Sequence, residues 1–192
     1  MYESRFGREM ERLLDLEMNG TMPPVLAFWG HEAQADRPGP WMLSQWWPSH
    51  FEVEGVAYAN AEAFMMAEKA RLFGDEAALA GILSAEHPAI AKRLGGEVEG
   101  FVESEWTEQR CDIVVRGNLA KFSQDPGRRR YLCSTESRVL VEASPRDRIW
   151  GVGLSASDPR VARPSEWRGS NLLGFALQEV RSILLSERAP GW

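Results

Sequence analysis

Glu62 and Lys69 are the first residues of this chain whose types and spacing could do chemistry. They lie in a helical stretch over residues 58–73, in which Glu62, Met66, Lys69 and Phe73 follow a spacing of i, i+4, i+7 and i+11 and so share one face. A carboxylate and an amine two turns apart therefore stand beside large apolar side chains. Charges are costly to bury unless they are paired or used. One interpretation is an amphipathic helix with both charges at its solvent edge; the other is a functional pair.

Polar or charged residues stand at three further places where the predicted local structure does not require them. Asp147 precedes Trp150 and Gly151, which predicts a carboxylate and an indole at a sheet edge. Ser170 and Asn171 form a turn into a helix, and helix N-terminal N–H groups can bind phosphate. Asn118 places a polar side chain in a helix that is otherwise expected to lie in the core. A structural alternative stands beside each: a turn residue for Asp147, a helix cap for Asn171 and a buried hydrogen-bonding amide for Asn118.

Common signatures of other chemistries are missing from the sequence. It has no GxGxxG before a helix, no Walker A, no GxSxG and no HExxH motif. Three histidines without an HxxxH pair give no metal site, and no cofactor is expected. Cys111 and Cys133 form no CxxC pair, which favours reduced thiols. Since no run approaches about 18 apolar residues and no apolar leader opens the chain, we expect a cytoplasmic protein without a membrane segment.

The net charge of −6 is divided unevenly along the chain. Residues 1–109 carry 8 Lys and Arg against 19 Asp and Glu, or −11, whereas residues 110–192 carry 14 against 9, or +5. The negative net charge of the whole chain argues against nonspecific nucleic-acid binding. The basic second half still allows a local phosphate site.

The order of predicted elements indicates an α+β fold, mainly helical, in one domain with a few short strands. We expect a helical N-terminal extension over residues 1–24 and a domain over residues 25–192. Strands are predicted at residues 25–30, 139–143 and 149–154, with a hairpin around Glu54-Gly55. Asn60, Asp75 and Ser104 are predicted to cap helices, and Gly74 to end one. Residues 34–40 are predicted to form a loop, and residues 170–171 to open the last helix.

Taken together, these motifs resemble the NADAR (YbiA-like) family over about residues 25–186. The matching positions are Phe28-Trp29-Gly30, residues 43–48, Gly55, Tyr58, Glu62, Lys69-Ala70, residues 121–124, residues 140–144, Asp147, residues 149–154, Trp167, Gly169, residues 171–174 and Arg181. Two departures stand out. The family usually has Leu-Ser-Asn-Phe-Tyr where this chain has Leu43-Ser-Gln-Trp-Trp47, and Glu-His or Glu-Tyr where it has Glu62-Ala63. These departures bear on substrate choice.

The resemblance implies a YbiA-like fold and an N-glycosidase, a hydrolase that cuts the bond between a ribose carbon and an amine or base nitrogen. The family's substrates include ribosylaminopyrimidine phosphates of riboflavin biosynthesis and ADP-ribose on guanine in DNA. It implies a catalytic set of Glu62, Lys69 and Asp147. Substrate-binding residues would be Phe28, Trp29, Gly30, Asn118, Trp150, Gly151, Ser170 and Asn171. The expected partner is a small ribosyl phosphate or ADP-ribosyl compound. ADP-ribosylated nucleic acid is a further candidate partner, and no membrane is expected to be one.

Lys69 permits two mechanisms. It could remain cationic, holding phosphate or pairing with Glu62, or it could lose its proton on an apolar face and attack the sugar as a free amine, giving a Schiff base. A rival function is a non-catalytic module that binds NAD or ADP-ribose. The intact pair of carboxylates, Glu62 and Asp147, favours an enzyme, because a protein that only binds its ligand does not need them.

Overall fold

The structure is a computed structural model, which describes residues 5–30 and 37–187. It is a mainly helical α+β protein, as predicted. Within the described residues the elements are α1 (Gly7–Met18), β1 (Val25–Phe28), β2 (Phe51–Val53), β3 (Val56–Tyr58), α2 (Ala61–Leu72), α3 (Glu76–Leu83), α4 (Pro88–Gly96), α5 (Glu103–Ser123), α6 (Pro126–Ser134), β4 (Val139–Glu142) and α7 (Leu172–Ser186). Short 3₁₀ turns add Pro40–Leu43, Pro159–Ala162 and Pro164–Glu166. None of the described helices is long and apolar enough to cross a membrane.

The chain divides into two compact units, of which the first comprises residues 1–44 and 127–192. Its centre is a parallel pair of strands, β1 beside β4, in register from Val25 opposite Val139 to Phe28 opposite Glu142. Helix α7 packs against β4. Parallel pairing brings the carboxyl ends of both strands to one edge, so the segments that follow Phe28 and Glu142 start side by side.

Helix α1, within the predicted N-terminal extension, is packed into this first unit. Its side chains Met10 and Leu13 are buried, and the preceding Phe6 lies 5.8 Å from Phe175 of α7 between ring centroids. Residues 1–4 of the predicted extension lie outside the described residues. The boundary at residue 24 stays a prediction.

The second unit comprises residues 45–126 and is built around α2. Helices α3, α4 and α5 all pack against it. The hairpin of β2 and β3 leads into α2, and its turn residues Glu54 and Gly55 have φ values of 52° and 79°. Positive φ at both positions is the requirement of the type I′ turn that favours right-twisted hairpins, and confirms the predicted turn.

Two predicted features are wrong. Residues 149–154 form bends rather than a strand. The Asp147 side chain accepts hydrogen bonds from the N–H groups of Ile149 and Trp150, so those donors are not available to a ladder, and Gly153 adopts a φ of 68°. Helix α5 begins two residues earlier than the predicted Ser104 cap allows, with Val102 at the cap position and no side-chain cap. Part of the predicted 34–40 loop lies outside the described residues.

Candidate functional site

The N-terminus of α2 holds Glu62 in a buried position. Asn60 caps the helix as predicted, because its Oδ1 accepts from Ala63 N at 2.9 Å. Glu62 lies in the first turn and is only 4% exposed, while its N–H donates to the Gln45 carbonyl at 3.0 Å. The interpretation as a solvent edge is therefore wrong for Glu62. The positive end of the helix dipole favours a carboxylate at this position.

Asn118 of α5 bonds to Gln45, the residue whose carbonyl accepts from the Glu62 N–H. Its side chain is fully buried, and its Nδ2 donates to Gln45 Oε1 at 3.0 Å and to the Val114 carbonyl at 2.9 Å. Gln45 thus holds Glu62 through its backbone and Asn118 through its side chain. Asn118 Oδ1 and Gln45 Nε2 are buried without a hydrogen-bond partner among the described residues. Buried amides are usually satisfied, so a leftover donor and acceptor mark this pair as unusual.

Gln45 was not among the predicted site residues. The available signal was its place at one of the departures from the family pattern, where an Asn is usual. The sequence could not show that it contacts Asn118, because 73 positions separate the two residues.

Lys69 occupies an aromatic and carbonyl environment within the same unit. Its Nζ donates to the Gly95 carbonyl at 2.7 Å and lies 4.1 Å from the Phe101 ring centroid. Burial lowers the pKa of Lys69, and the Glu103 carboxylate opposes that shift. Among the described residues no salt bridge joins Lys69 to Glu62. Seven residues of helix span about 10 Å, which explains why the predicted pairing is not formed.

Asp147 organises a tight loop in the first unit. Its Oδ1 accepts from Ile149 N at 2.9 Å and from Trp150 N at 2.8 Å, while its backbone carbonyl accepts from Gly153 N at 3.0 Å. This is the turn geometry that the structural alternative described. Asp147 is half-buried, and its Oδ2 has no hydrogen-bond partner in the described part of the chain. One carboxylate oxygen is thus fixed by backbone donors and the other is left for another partner.

The loop is tightly packed around Gly151. A Cβ on Gly151 would stand 2.8 Å from the Glu142 carbonyl, which leaves no space for a side chain. Gly169 lies against the Gly151 carbonyl and the Arg148 backbone. The backbone of the half-buried Trp150 is held as well, because its carbonyl accepts from Leu173 N at 3.1 Å.

The start of α7 is bonded to this loop rather than open. The N–H groups of residues 170, 171, 172 and 173 donate to the carbonyls of residues 148, 151, 149 and 150 at 2.9–3.2 Å. These N–H groups are therefore not free to bind phosphate, contrary to the geometry that we expected for the turn. The Ser170 hydroxyl makes no hydrogen bond with a described residue and is the polar group that remains.

Asn171 joins α7 to β4. It is fully buried with a left-handed φ of 52°, its Oδ1 accepts from Glu142 N at 3.0 Å and its Nδ2 donates to the Leu140 carbonyl at 3.0 Å. Asn171 occupies the N-cap position, but its side chain makes no capping bond. Both the oxygen and the nitrogen of its side-chain amide are therefore hydrogen-bonded to the backbone of β4. Direct contact with a ribose hydroxyl stays a prediction.

The predicted residues at the end of β1 differ sharply in exposure. Phe28 is 2% exposed and belongs to the core, whereas Trp29 is 61% exposed. Gly30 has a φ of 79°. Since Trp29 follows β1 and the Asp147 loop follows β4, both leave the carboxyl edge of the parallel strands, where α/β proteins commonly bind ligands. Among the described residues, no group of three or more His, Cys, Asp or Glu could hold a metal ion.

This mainly helical α+β fold is shared with a solved protein. The NMR structure of the Escherichia coli protein YbiA aligns with a TM-score of 0.72 at 23% identity, covering 89% of this chain and 90% of that one. The sequence also matches the family model of the NADAR domain over residues 27–185. The chain belongs to the NADAR domain family, as the sequence motifs indicated.

Curated relatives give the family its functional context. The chain is 38% identical over 156 residues to N-glycosidase R617 of Acanthamoeba polyphaga mimivirus, covering 79% of this chain and 92% of that protein. It is 28% identical over 142 residues to N-glycosidase YbiA of Escherichia coli (strain K12), covering 74% and 79%. It is 36% identical over 105 residues to the chloroplastic riboflavin biosynthesis protein PYRR of Zea mays, covering 53% of this chain and 15% of that protein.

Proposed function

We propose that this chain is an N-glycosidase, a hydrolase that cleaves the bond between a ribose carbon and an amine or base nitrogen. Its family membership and the names of N-glycosidases R617 and YbiA support this class of reaction. The observation that carries the proposal within the molecule is the buried carboxylate of Glu62 at the N-terminus of α2. An ionisable side chain in such a position is more readily explained by chemistry than by stability.

The proposed reaction uses carboxylates in the way that glycosidases do. Cleavage of an N-glycosyl bond passes through an oxocarbenium-like state, which a carboxylate stabilises or completes by activating water. Glu62 and Asp147 are the two proposed carboxylates. Asp147 retains Oδ2 for this purpose, and the Trp150 indole offers a face for a heterocyclic base, with stacking worth about 1–3 kcal/mol.

Two substrate classes fit the proposal. Ribosylaminopyrimidine phosphates of riboflavin biosynthesis are favoured by the similarity to PYRR, whose name places it in that pathway. ADP-ribose attached to guanine in DNA is the second. The charge of −11 over residues 1–109 makes that half an unfavourable surface for duplex DNA, while the +5 of residues 110–192 leaves the second class open.

Release of free base distinguishes these proposals. Purified protein is incubated separately with a ribosylaminopyrimidine phosphate, NAD and DNA that carries ADP-ribosylated guanine, and the products are separated by chromatography. Release of base from one of them identifies the substrate class. Binding of any of the three without release of base would contradict the enzyme and support the rival function, a module that binds NAD or ADP-ribose without cutting it.

The mechanism of Lys69 needs its own experiment. The Gly95 carbonyl and the Phe101 ring both stabilise a cation, which supports a charged lysine, whereas the lowered pKa supports a free amine that forms a Schiff base. Borohydride trapping during turnover would reduce a Schiff base to a stable protein–sugar adduct. An adduct that is lost in Lys69→Arg supports the covalent route. Full turnover by Lys69→Ala would exclude it.

A further inference from the structure

A cavity in the first unit lies away from every predicted site residue. It has a volume of about 380 Å³, within the range of small-molecule sites. Helix α1 with the residues before it, the start of β4 and one side of α7 form its walls. The polar residues that matter for its charge are Arg5, Glu9, Arg12, Glu179 and Arg181.

Arg181 is the unusual residue in this cavity. Its side chain is buried, with 8% exposure, and its Nη1 donates to Thr135 Oγ1 at 2.8 Å and to the Arg138 carbonyl at 3.0 Å. These two neutral acceptors use both hydrogens of Nη1. Nε and Nη2 make no hydrogen bond with the described residues, and no carboxylate there pairs with Arg181. A guanidinium normally stays charged, so a buried one without a counterion favours an anion at its open side.

The other charges around the cavity cancel. Arg5 donates to Glu179 at 2.6 Å and Arg12 to Glu9 at 3.2 Å, so the lining carries one unbalanced positive charge, on Arg181. Burial lowers the pKa of Arg181 most strongly, against an opposing effect of Cys133, and the nearby positive charge of Arg138 lowers it further. Both lowering effects disfavour the bare cation and would be relieved by a bound anion.

We propose that this cavity binds the oxyanion of a small molecule, a phosphate or a carboxylate, with the free edge of the Arg181 guanidinium as its main contact. A guanidinium donates two parallel hydrogen bonds to either group. The remaining volume accommodates the rest of a small organic anion. The ligand enters beside α1, so the N-terminal extension supplies part of the site.

The proposed anion site is separate from the loop that carries Asp147. The cavity is lined by Val139, the first residue of β4, whereas the Asp147 loop follows Glu142, the last residue. Three residue steps along a strand cover about 10 Å. Binding at the cavity therefore does not depend on whether the chain is an N-glycosidase.

Titration calorimetry of the full chain with inorganic phosphate, ribose 5-phosphate and acetate tests the proposal. We expect saturable binding of one or more of them, and the order of affinities separates a phosphate site from a carboxylate site. Arg181→Lys keeps the charge but loses the planar fork, and should weaken binding roughly tenfold. Arg181→Lys could also destabilise the fold, because Thr135 and the Arg138 carbonyl would lose a donor, so its melting temperature is measured alongside.

Two substitutions on α1 keep the test decisive. Glu9 and Arg12 are on the surface side of the cavity, where substitution leaves the core intact. Glu9→Gln removes a negative charge and releases Arg12, and should tighten binding roughly twofold to fivefold, whereas Arg12→Gln should weaken it by a similar factor. Absence of binding in the wild type, or binding that none of the three substitutions changes, would overturn the proposal. Binding that follows the predicted opposite directions would support it.

Discussion

Replacement of Glu62 by Gln is the sharpest test of the proposed N-glycosidase. The substitution keeps the size of a side chain that is only 4% exposed, so no cavity is created. It also leaves the backbone hydrogen bond from residue 62 to the Gln45 carbonyl in place. What it removes is the carboxylate that would stabilise the oxocarbenium-like state or activate water.

The expected loss of activity is far larger than the expected change in stability. Positioned acid–base groups contribute about 10²–10⁴-fold, so kcat/KM should fall by that factor, equivalent to about 2.7–5.5 kcal/mol. Loss of a negative charge in the first turn of α2 costs about 0.3–1 kcal/mol, and relief of charge burial opposes that cost. The net change in the free energy of unfolding should therefore stay within about 1 kcal/mol, a shift in melting temperature of about 2–4 °C.

Glu68→Gln is the matched control on the same helix. Glu68 pairs with Arg71 at 2.5 Å and with Arg116, and it has no part in the proposed chemistry. Loss of these partly exposed ion pairs should cost at most about 1 kcal/mol and leave base release unchanged. The assay is single-turnover release of base with both variants and circular dichroism melts of each. Near wild-type release by Glu62→Gln would refute its catalytic role, and an unfolded variant would make Glu62 structural and move the proposal to Asp147.

Three further substitutions test particular contacts. Asn171→Ala removes two buried hydrogen bonds to β4 and places Ala at a left-handed φ, so the free energy of unfolding should fall by about 2–5 kcal/mol in denaturant titrations; a loss under about 1 kcal/mol would contradict this. Gly117→Ala drives a Cβ into the Phe64 ring and should cost about 1–3 kcal/mol, read as a lower melting temperature, and an unchanged value would show that the ring can move. Because burial lowers the pKa of Lys69, the unfolded chain binds more protons there between the folded-state pKa and 10.5. Stability relative to Lys69→Met should therefore rise with pH across that window, and a flat difference would refute the shift.

Local signals in the sequence were sufficient for most elements of the fold. Asn60 and Asp75 both cap the helices that they were predicted to cap, accepting from the N–H three residues later. Gly74 ends α2 with a φ of 71°. Each of these features depends on side-chain and backbone geometry within a few residues, which the sequence states directly.

The strand predicted at residues 149–154 is absent for a local reason, the hydrogen bonds to Asp147, and for a non-local one. Ile149, Val152 and Leu154 have the composition of a strand, but Gly169, from a distant part of the chain, packs against the Gly151 carbonyl. The Val152 N–H then bonds to the Glu142 carbonyl at 2.9 Å, and no regular ladder forms. A composition rule has no information about which segment arrives from elsewhere.

The candidate site shows the same division between local and distant information. Glu62 could be predicted because its place in the first turn of a helix follows from nearby sequence. Its backbone hydrogen bond to Gln45 and the hydrogen bond between Gln45 and Asn118 could not, because they span 17 and 73 positions. Asn171 is the clearest case. An Asn at that place in any sequence is read as a cap, but a left-handed φ of 52° turns its amide towards β4, about 30 residues earlier, and makes it a clamp on the strand. Activity lost in an Asn171 variant must therefore be judged beside its stability, whereas Glu62→Gln is expected to remove a charge with little change in the stability of the fold.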